Sequence, residues 1–189
     1  ILFIMYYTKR LIMNLDNVTS GNNVPKEVNV IIEISQNSYP VKYEFDKKKN
    51  LFCVDRFLPT SMYYPCNYGF IPHTCAGDGD PVDVLVASRF PITNGVLICA
   101  RPVGVLVMHD EGGEDIKVLA VPINKVDQYY STIQNYTDFP ASFLNSISHF
   151  FTFYKKLEED KFVSVEGWKD ISAAEAFISN ALLTKQQTL

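Results

Sequence analysis

Apolar and polar positions fall into short β-rich runs through the first two thirds of the chain. These are Asn29–Ser35, Val41–Phe45, Leu51–Phe57, Val82–Ser88, Val96–Met108 and Ile116–Val121. They are rich in Val, Ile, Phe and Tyr and are bounded by Pro, Gly, Asn and Asp, as strands should be. Val41-Lys42-Tyr43-Glu44-Phe45 alternates strictly, so Lys42 and Glu44 share one strand face. Connections between many of the runs are short, which favours antiparallel pairing over βαβ crossovers. Pro102 and Gly104 interrupt the longest run and predict a bend or bulge there.

The pattern changes after Pro122. Asn124–Ile133 reads as one short helix, and Pro140 opens another. In that second helix Phe143, Ile147, Phe150, Phe151 and Tyr154 recur at near-helical spacing. A last strand, Phe162–Val165, precedes Ser172-Ala-Ala-Glu175, which has the form of a capping box. The Ala- and Leu-rich stretch from Ala173 to Leu183 then favours a terminal helix. The fold class expected is α+β: an OB-like closed antiparallel β-barrel, five-stranded at its core with extra strands, and two or three flanking helices. Such barrels commonly host ligands on their groove face.

A length of 189 residues suits one domain. Apolar residues make up 47% and charged residues 20%, enough to bury a core and to exclude wholesale disorder. The net charge of −4 argues against a general electrostatic grip on nucleic acid. Cys53, Cys66, Cys75 and Cys99 form no C-x-x-C pair, so neither a zinc ribbon nor a redox dithiol is indicated. They read as reduced thiols, and the expected location is cytoplasmic. Ile1–Tyr7 is apolar but far shorter than the roughly 20 residues a membrane span needs. Its charges, Lys9 and Arg10, follow the apolar run, the reverse of a signal peptide. Residues 1–13 are therefore expected to be an extension outside the fold, with Met5 and Met13 as internal starts, and residues 14–189 a single domain.

Acidic residues are unevenly placed. Seven of the twenty-one fall in two groups, Asp78, Asp80 and Asp83, then Asp110, Glu111, Glu114 and Asp115, and residues 84–109 between them hold none. Gly77-Asp78-Gly79-Asp80-Pro81-Val82-Asp83 places three carboxylates on a turn entering a strand. The second group straddles Gly112-Gly113, a hairpin-type turn whose return strand points Asp115 and Lys117 to one side. Asp and Gly make good turns for local reasons alone. Two such turns that converge are another matter, because carboxylates 5 Å apart repel by about 3 kcal/mol at an effective dielectric of ~20. Divalent cations relieve that repulsion, and all-oxygen donors suit Mg²⁺, Mn²⁺ or Ca²⁺. An EF-hand is excluded, because acids lie at loop positions 1, 3 and 6, Pro81 occupies position 4, and position 12 is Arg89.

Cations and phenols form a second constellation: Lys42, Arg56, the run Tyr63-Tyr64-Pro65-Cys66-Asn67-Tyr68-Gly69, and Tyr154, Lys155 and Lys161 near the second helix's end. Walker A, G-x-S-x-G and H-E-x-x-H motifs are absent from the sequence. Lys, Arg and Tyr beside a carboxylate-held metal cluster are what a phosphoryl-transfer site needs.

Asp78-Gly-Asp80-Pro-Val-Asp83 resembles the signature of the soluble family I inorganic pyrophosphatases. It stands among Lys42-Tyr43-Glu44, Val54-Asp55-Arg56-Phe57, Tyr64-Pro-Cys-Asn-Tyr68-Gly, Gly113-Glu-Asp115-Ile-Lys117, His149-Phe-Phe…Tyr154-Lys155 and Val165-Glu-Gly-Trp168. The likeness runs in order from about Asn14 to the last helix, at the length of the short prokaryotic type.

The resemblance implies Mg²⁺-dependent hydrolysis of pyrophosphate to two orthophosphates by direct attack of water, with Mn²⁺ a possible substitute. It casts Asp78, Asp83 and Asp115 as ligands of the first metal, with Asp83 reaching a second. Asp110 and Asp115 would hold further magnesium ions, Glu33 and Glu44 would complete the acidic edge, and Glu111 would stand with that group. Asp80 is cast as general base, with Tyr68 and Lys117 beside it. Lys42, Arg56, Tyr154 and Lys155 resemble the clamp on the two phosphates, and Tyr64 and Lys161 other polar groups of the cavity. A homohexamer is implied, without nucleic-acid or membrane partners. The alternatives are an OB-type nucleic-acid-binding module, which would need a basic aromatic groove, and another two-metal phosphohydrolase.

Overall fold

The computed structural model describes residues 15–182, so the expected extension and the end of the terminal helix at Leu183 lie outside the described residues. Among the described residues are eight strands, β1 (Val28–Ile34), β2 (Val41–Asp46), β3 (Leu51–Phe57), β4 (Asn67–Phe70), β5 (Asp83–Val86), β6 (Leu97–Asp110), β7 (Gly113–Pro122) and β8 (Val163–Lys169), and two α-helices, α1 (Ala141–Phe153) and α2 (Ile171–Ala181). Six strands make one sheet in the order β1-β4-β5-β7-β6-β8, and β1 also pairs with β6. Five strands thus close into a ring, with β8 added outside it on β6, as the expected barrel requires. One departure is that β5 runs parallel to β7, setting Asp83 opposite Lys117. Strands β2 and β3 form a separate two-stranded hairpin.

Both faces of the ring strands are covered, which is why their sequences read as continuous apolar runs. Val84, Val86, Val105, Val107, Val118 and Ala120 pack with Ala174 and Ile178 of α2. Their neighbours Leu85, Leu106, Met108 and Leu119 pack instead with Ile147, Phe150 and Phe151 of α1. The expected break in the longest run is present: the β6–β7 register shifts between Pro102 and Gly104. A second shift, between Ile32 and Ile34 on β1, leaves Glu33 as the bulged residue. Opposite it Gly69 is obligatory, because a Cβ there would lie 2.0 Å from the Ile31 carbonyl oxygen.

Three local expectations need correction. Asn124–Ile133 is not a helix; it holds a 3₁₀ turn at Gln128–Tyr130, where the Asp127 side chain accepts from the Tyr129 N–H. Tyr, Ser and Thr are mediocre helix formers, and one capped turn satisfies the segment. The cap of α2 is Asp170, accepting from the Ala173 N–H at 3.0 Å, so Ser172 lies inside the helix. The expected strands omit β4, which begins within the tyrosine-rich stretch and whose residues are all buried.

Candidate active site

The Asp78–Asp83 turn, the β6–β7 hairpin and the β2–β3 hairpin meet around one cavity of about 250 Å³. The first turn is closed by backbone bonds from Ala76 N–H to Asp80 C=O (2.7 Å) and from Gly79 N–H to Ala76 C=O (3.0 Å). Gly79 takes φ +90°, which an L side chain would resist, and the Asp80 N–H is held by Asp78 Oδ1 at 3.0 Å. Asp78, Asp80 and Asp83 line the cavity together with Asp110 and Asp115 from the second hairpin. Glu33 from β1 and Lys42 and Glu44 from β2 complete the same lining with Tyr64, Tyr68, Lys117, Tyr154 and Lys155. Both acidic turns foreseen from the sequence therefore converge.

Arg56, Glu111 and Lys161 do not line it. Arg56 stands beside the mouth between Asp55 and Glu158, while Lys161 pairs with Glu111, which also lies 3.5 Å from Lys155 Nζ. Lys47, Phe45, Phe70 and Phe151 do line it and were not foreseen. The only sequence signal for Lys47 is its place in a Lys47-Lys48-Lys49 turn, which reads equally well as solvated charge.

Lys117 is the hub of the acidic wall. Its side chain is 5% exposed, and its ammonium donates to Asp83, lies 2.7 Å from Asp115 Oδ1 and donates to the Tyr68 hydroxyl at 3.3 Å. Burial alone would lower its pKa, but Asp83 and Asp115 outweigh burial and raise it, so it stays charged. Asp115 is raised by burial and by Asp83, against the pull of Lys117. Asp80 is raised by burial and then by Asp78. Glu33, 8% exposed, is pushed up to about 8 mainly by burial, although it accepts the Phe45 N–H at 2.9 Å. Across the cavity Lys155 Nζ donates to Asp110 Oδ2 at 2.7 Å, and that bond holds the Asp110 carboxyl below its ordinary range despite burial. Burial raises Tyr64, Tyr68 and Tyr154 well above the ordinary phenol value, so all three remain neutral hydrogen-bond donors.

The donor chemistry suits a hard divalent cation. Asp78, Asp83 and Asp115 stand between the main cavity and a second hollow of about 170 Å³, which Glu114 also lines. Among the described residues no three acidic, His or Cys side chains are already drawn into a cage. Lys117 instead balances Asp83 and Asp115, while Asp80 and Asp115 are raised by burial first and then by the neighbouring carboxylates Asp78 and Asp83.

Carboxylates, ammonium groups and phenols gathered in one cavity of an OB-like barrel define a phosphoryl-transfer enzyme. The sequence model for the family described as inorganic pyrophosphatase matches residues 30–185. The inorganic pyrophosphatase of Buchnera aphidicola subsp. Schizaphis graminum is 50% identical over 169 residues, 89% of this chain and 94% of that protein. The inorganic pyrophosphatase of Ehrlichia chaffeensis has a crystal structure that superposes with TM-score 0.82 at 76% identity, covering 88% of this chain and all of that one. A crystal structure of an inorganic phosphatase from Anaplasma phagocytophilum gives 0.87 at 67% identity over 88% and 97% of the two chains. The chain belongs to the inorganic pyrophosphatase family.

Proposed function

We propose that the cavity hydrolyses inorganic pyrophosphate to two orthophosphates with Mg²⁺ as the required cation. The observation that carries this reading is the meeting of Asp78, Asp80, Asp83 and Asp115 with Lys42, Lys117 and Lys155 in one cavity of a chain from this family. Asp78, Asp83 and Asp115 would hold the metal, and Asp110, Glu44, Glu33 and Glu111 would serve further ions along the edge. Bound there, Mg²⁺ supplies Lewis-acid neutralisation of phosphate charge and acidifies water near neutral pH. Mn²⁺ meets the same oxygen donors.

The chain's own groups do the rest. Asp80, whose basicity burial and Asp78 increase, accepts a proton from the attacking water. The oxygen of that water bonds one phosphorus as the bond from phosphorus to the bridging oxygen breaks, and the proton ends on the phosphate products. Lys42, Lys155, Arg56 and Tyr154 bind the phosphate oxygens, with Tyr64 and Lys161 nearby, and stabilise charge developing on the leaving phosphate. Lys117 fixes Asp83 and Asp115 and orients the neutral Tyr68 hydroxyl. Water attacks directly, so no covalent phosphoenzyme is needed.

A homohexamer without nucleic-acid or membrane partners, in the cytoplasm, completes the reading. It is supported by the likeness to the short prokaryotic type and by four unbonded cysteines. Among the described residues no helix is long and apolar enough to cross a membrane. The test is a substrate panel of pyrophosphate, a phosphomonoester and single-stranded DNA, each with Mg²⁺ and with chelator. Phosphate release from pyrophosphate alone, and only with metal, is expected. Comparable phosphomonoester hydrolysis, or tight DNA binding without hydrolysis, would replace this reading by one of its rivals.

A further inference from the structure

The β2–β3 hairpin contributes Lys42, Glu44 and Lys47 to the cavity, yet its backbone pairs only within itself and not with the ring. Among the described residues, two polar ties bind it to the rest of the chain. At the inner end the Phe45 N–H donates to Glu33. At the outer end Arg56, which is opposite Lys42 in the register, meets Glu158 across 102 residues of sequence. Glu158 lies in the segment that follows α1, the same segment that supplies Tyr154 and Lys155 to the cavity.

The contact is side-on. Arg56 Nε is 2.9 Å from Glu158 Oε2, and Nη2 donates to Oε1 at 3.5 Å. The Nε proton is not aimed at the carboxylate, so the Nε contact is electrostatic rather than an aligned hydrogen bond. The Glu158 side chain is 12% exposed, which shields the pair from the screening that weakens surface ion pairs. Its backbone N–H donates to the Lys155 carbonyl at 2.9 Å, fixing the carboxylate to the turn that carries Lys155. Asp55 shares the other side of Arg56 and reaches Lys42 Nζ at 3.3 Å. Glu158, Arg56, Asp55 and Lys42 thus form one chain of charges from the post-α1 turn to the cavity wall.

We infer that Glu158 is a positioning residue, a latch that holds the β2–β3 hairpin and its phosphate-binding cations against the post-α1 segment. The inference rests on the proposed role of Arg56 and Lys42 in binding pyrophosphate. With the latch intact, the cations of the hairpin and Lys155 face the substrate at a fixed spacing. Without it, the hairpin keeps its tie to Glu33 and its apolar contacts through Phe45 and Tyr43, but loses the polar contact that sets the position of Arg56 and Lys42.

The experiment is steady-state kinetics on full-length Glu158→Gln, Glu158→Asp, Arg56→Ala and the Arg56→Ala/Glu158→Gln double variant, with hydrogen exchange across residues 41–57. Glu158→Gln should raise KM for pyrophosphate about 5–20-fold and leave kcat within about 3-fold, the pattern of lost binding rather than lost chemistry. Exchange across the hairpin should accelerate. Glu158→Asp, which keeps the charge, should recover part of the loss. In the double variant the Glu158 change should add nothing to Arg56→Ala, because the two act through one contact. An unchanged KM in Glu158→Gln, or an effect that multiplies with Arg56→Ala, overturns the latch. An unchanged KM in Arg56→Ala alone overturns the substrate role of Arg56 instead, a separate result.

Discussion

Asp80 and Asp83 are three residues apart on one turn, yet the proposed reaction gives them different tasks. Asp83 is bound by the Lys117 ammonium, next to Asp115, whereas Asp80 has no such partner and is raised by burial and Asp78. Asp83→Asn should weaken Mg²⁺ binding and hydrolysis together. Asp80→Asn should keep metal affinity and slow the chemical step by about 10²–10⁴, the usual worth of a positioned base, with the pH–rate profile moved to alkaline pH. Mg²⁺ titration and a pH–rate curve for each variant check this, and equal loss of metal affinity would make Asp80 a ligand. Glu33 gives a prediction of another kind. Its pKa rises from 4.5 to about 8 on folding, so between those values the folded state holds a proton that the unfolded chain releases. Stability in chelator should therefore fall as pH rises through that window, and Glu33→Gln should flatten the fall. Denaturant titrations at pH 5 and pH 8 compare the two proteins. At this scale the acids were legible because Asp and Gly in tight spacing advertise a carboxylate turn. That Lys117 stands with Asp115 was legible from their spacing on one strand, but its bridge to Asp83 was not, since Asp83 lies across a parallel pairing that no local pattern reveals. Arg56 could be chosen as a cation but not placed, because its seat beside the mouth depends on Glu158, 102 residues away.

Elements were legible where composition and period agreed, as in β3, predicted with its observed ends, and in α1 following Pro140. They were not legible where tertiary contact overrode propensity. β4 is missing from the expected strands, because its pairing partners β1 and β5 are distant in sequence and its own four residues are too few to show alternation. The bulge that aims Glu33 inward is equally silent, since an apolar run looks the same with or without a register slip. The structure ties that bulge to Gly69. A methyl at Gly69 would meet backbone atoms of Ile31 and Ile32, which cannot rotate away. Gly69→Ala should cost at least about 3 kcal/mol, the upper end of ordinary overpacking, and urea denaturation measures it. A loss below about 1 kcal/mol would show that β1 and β4 separate easily and that the bulge is not locked.

On the scale of the whole molecule, the barrel brings to one cavity two acidic turns whose carboxylates repel one another. Folding is opposed by that repulsion, and Lys117 and Lys155 offset only part of it. A cation that binds only the folded state adds RT ln(1 + [L]/Kd), about 2.7 kcal/mol at a hundredfold excess over Kd. The melting temperature should therefore be higher in millimolar Mg²⁺ than in chelator, and most of that gain should vanish in Asp83→Asn. Identical melting curves with and without Mg²⁺ would mean that these carboxylates share no metal site.

The central claim is that this cavity hydrolyses pyrophosphate with metal held by its carboxylates. The most direct measurement is phosphate release from pyrophosphate by the purified chain as Mg²⁺ is titrated from chelator upward. The account predicts no release in chelator, a saturable rise with Mg²⁺, and two orthophosphates for each pyrophosphate consumed. Pyrophosphate left intact at every Mg²⁺ concentration, or hydrolysed equally fast in chelator, would contradict it.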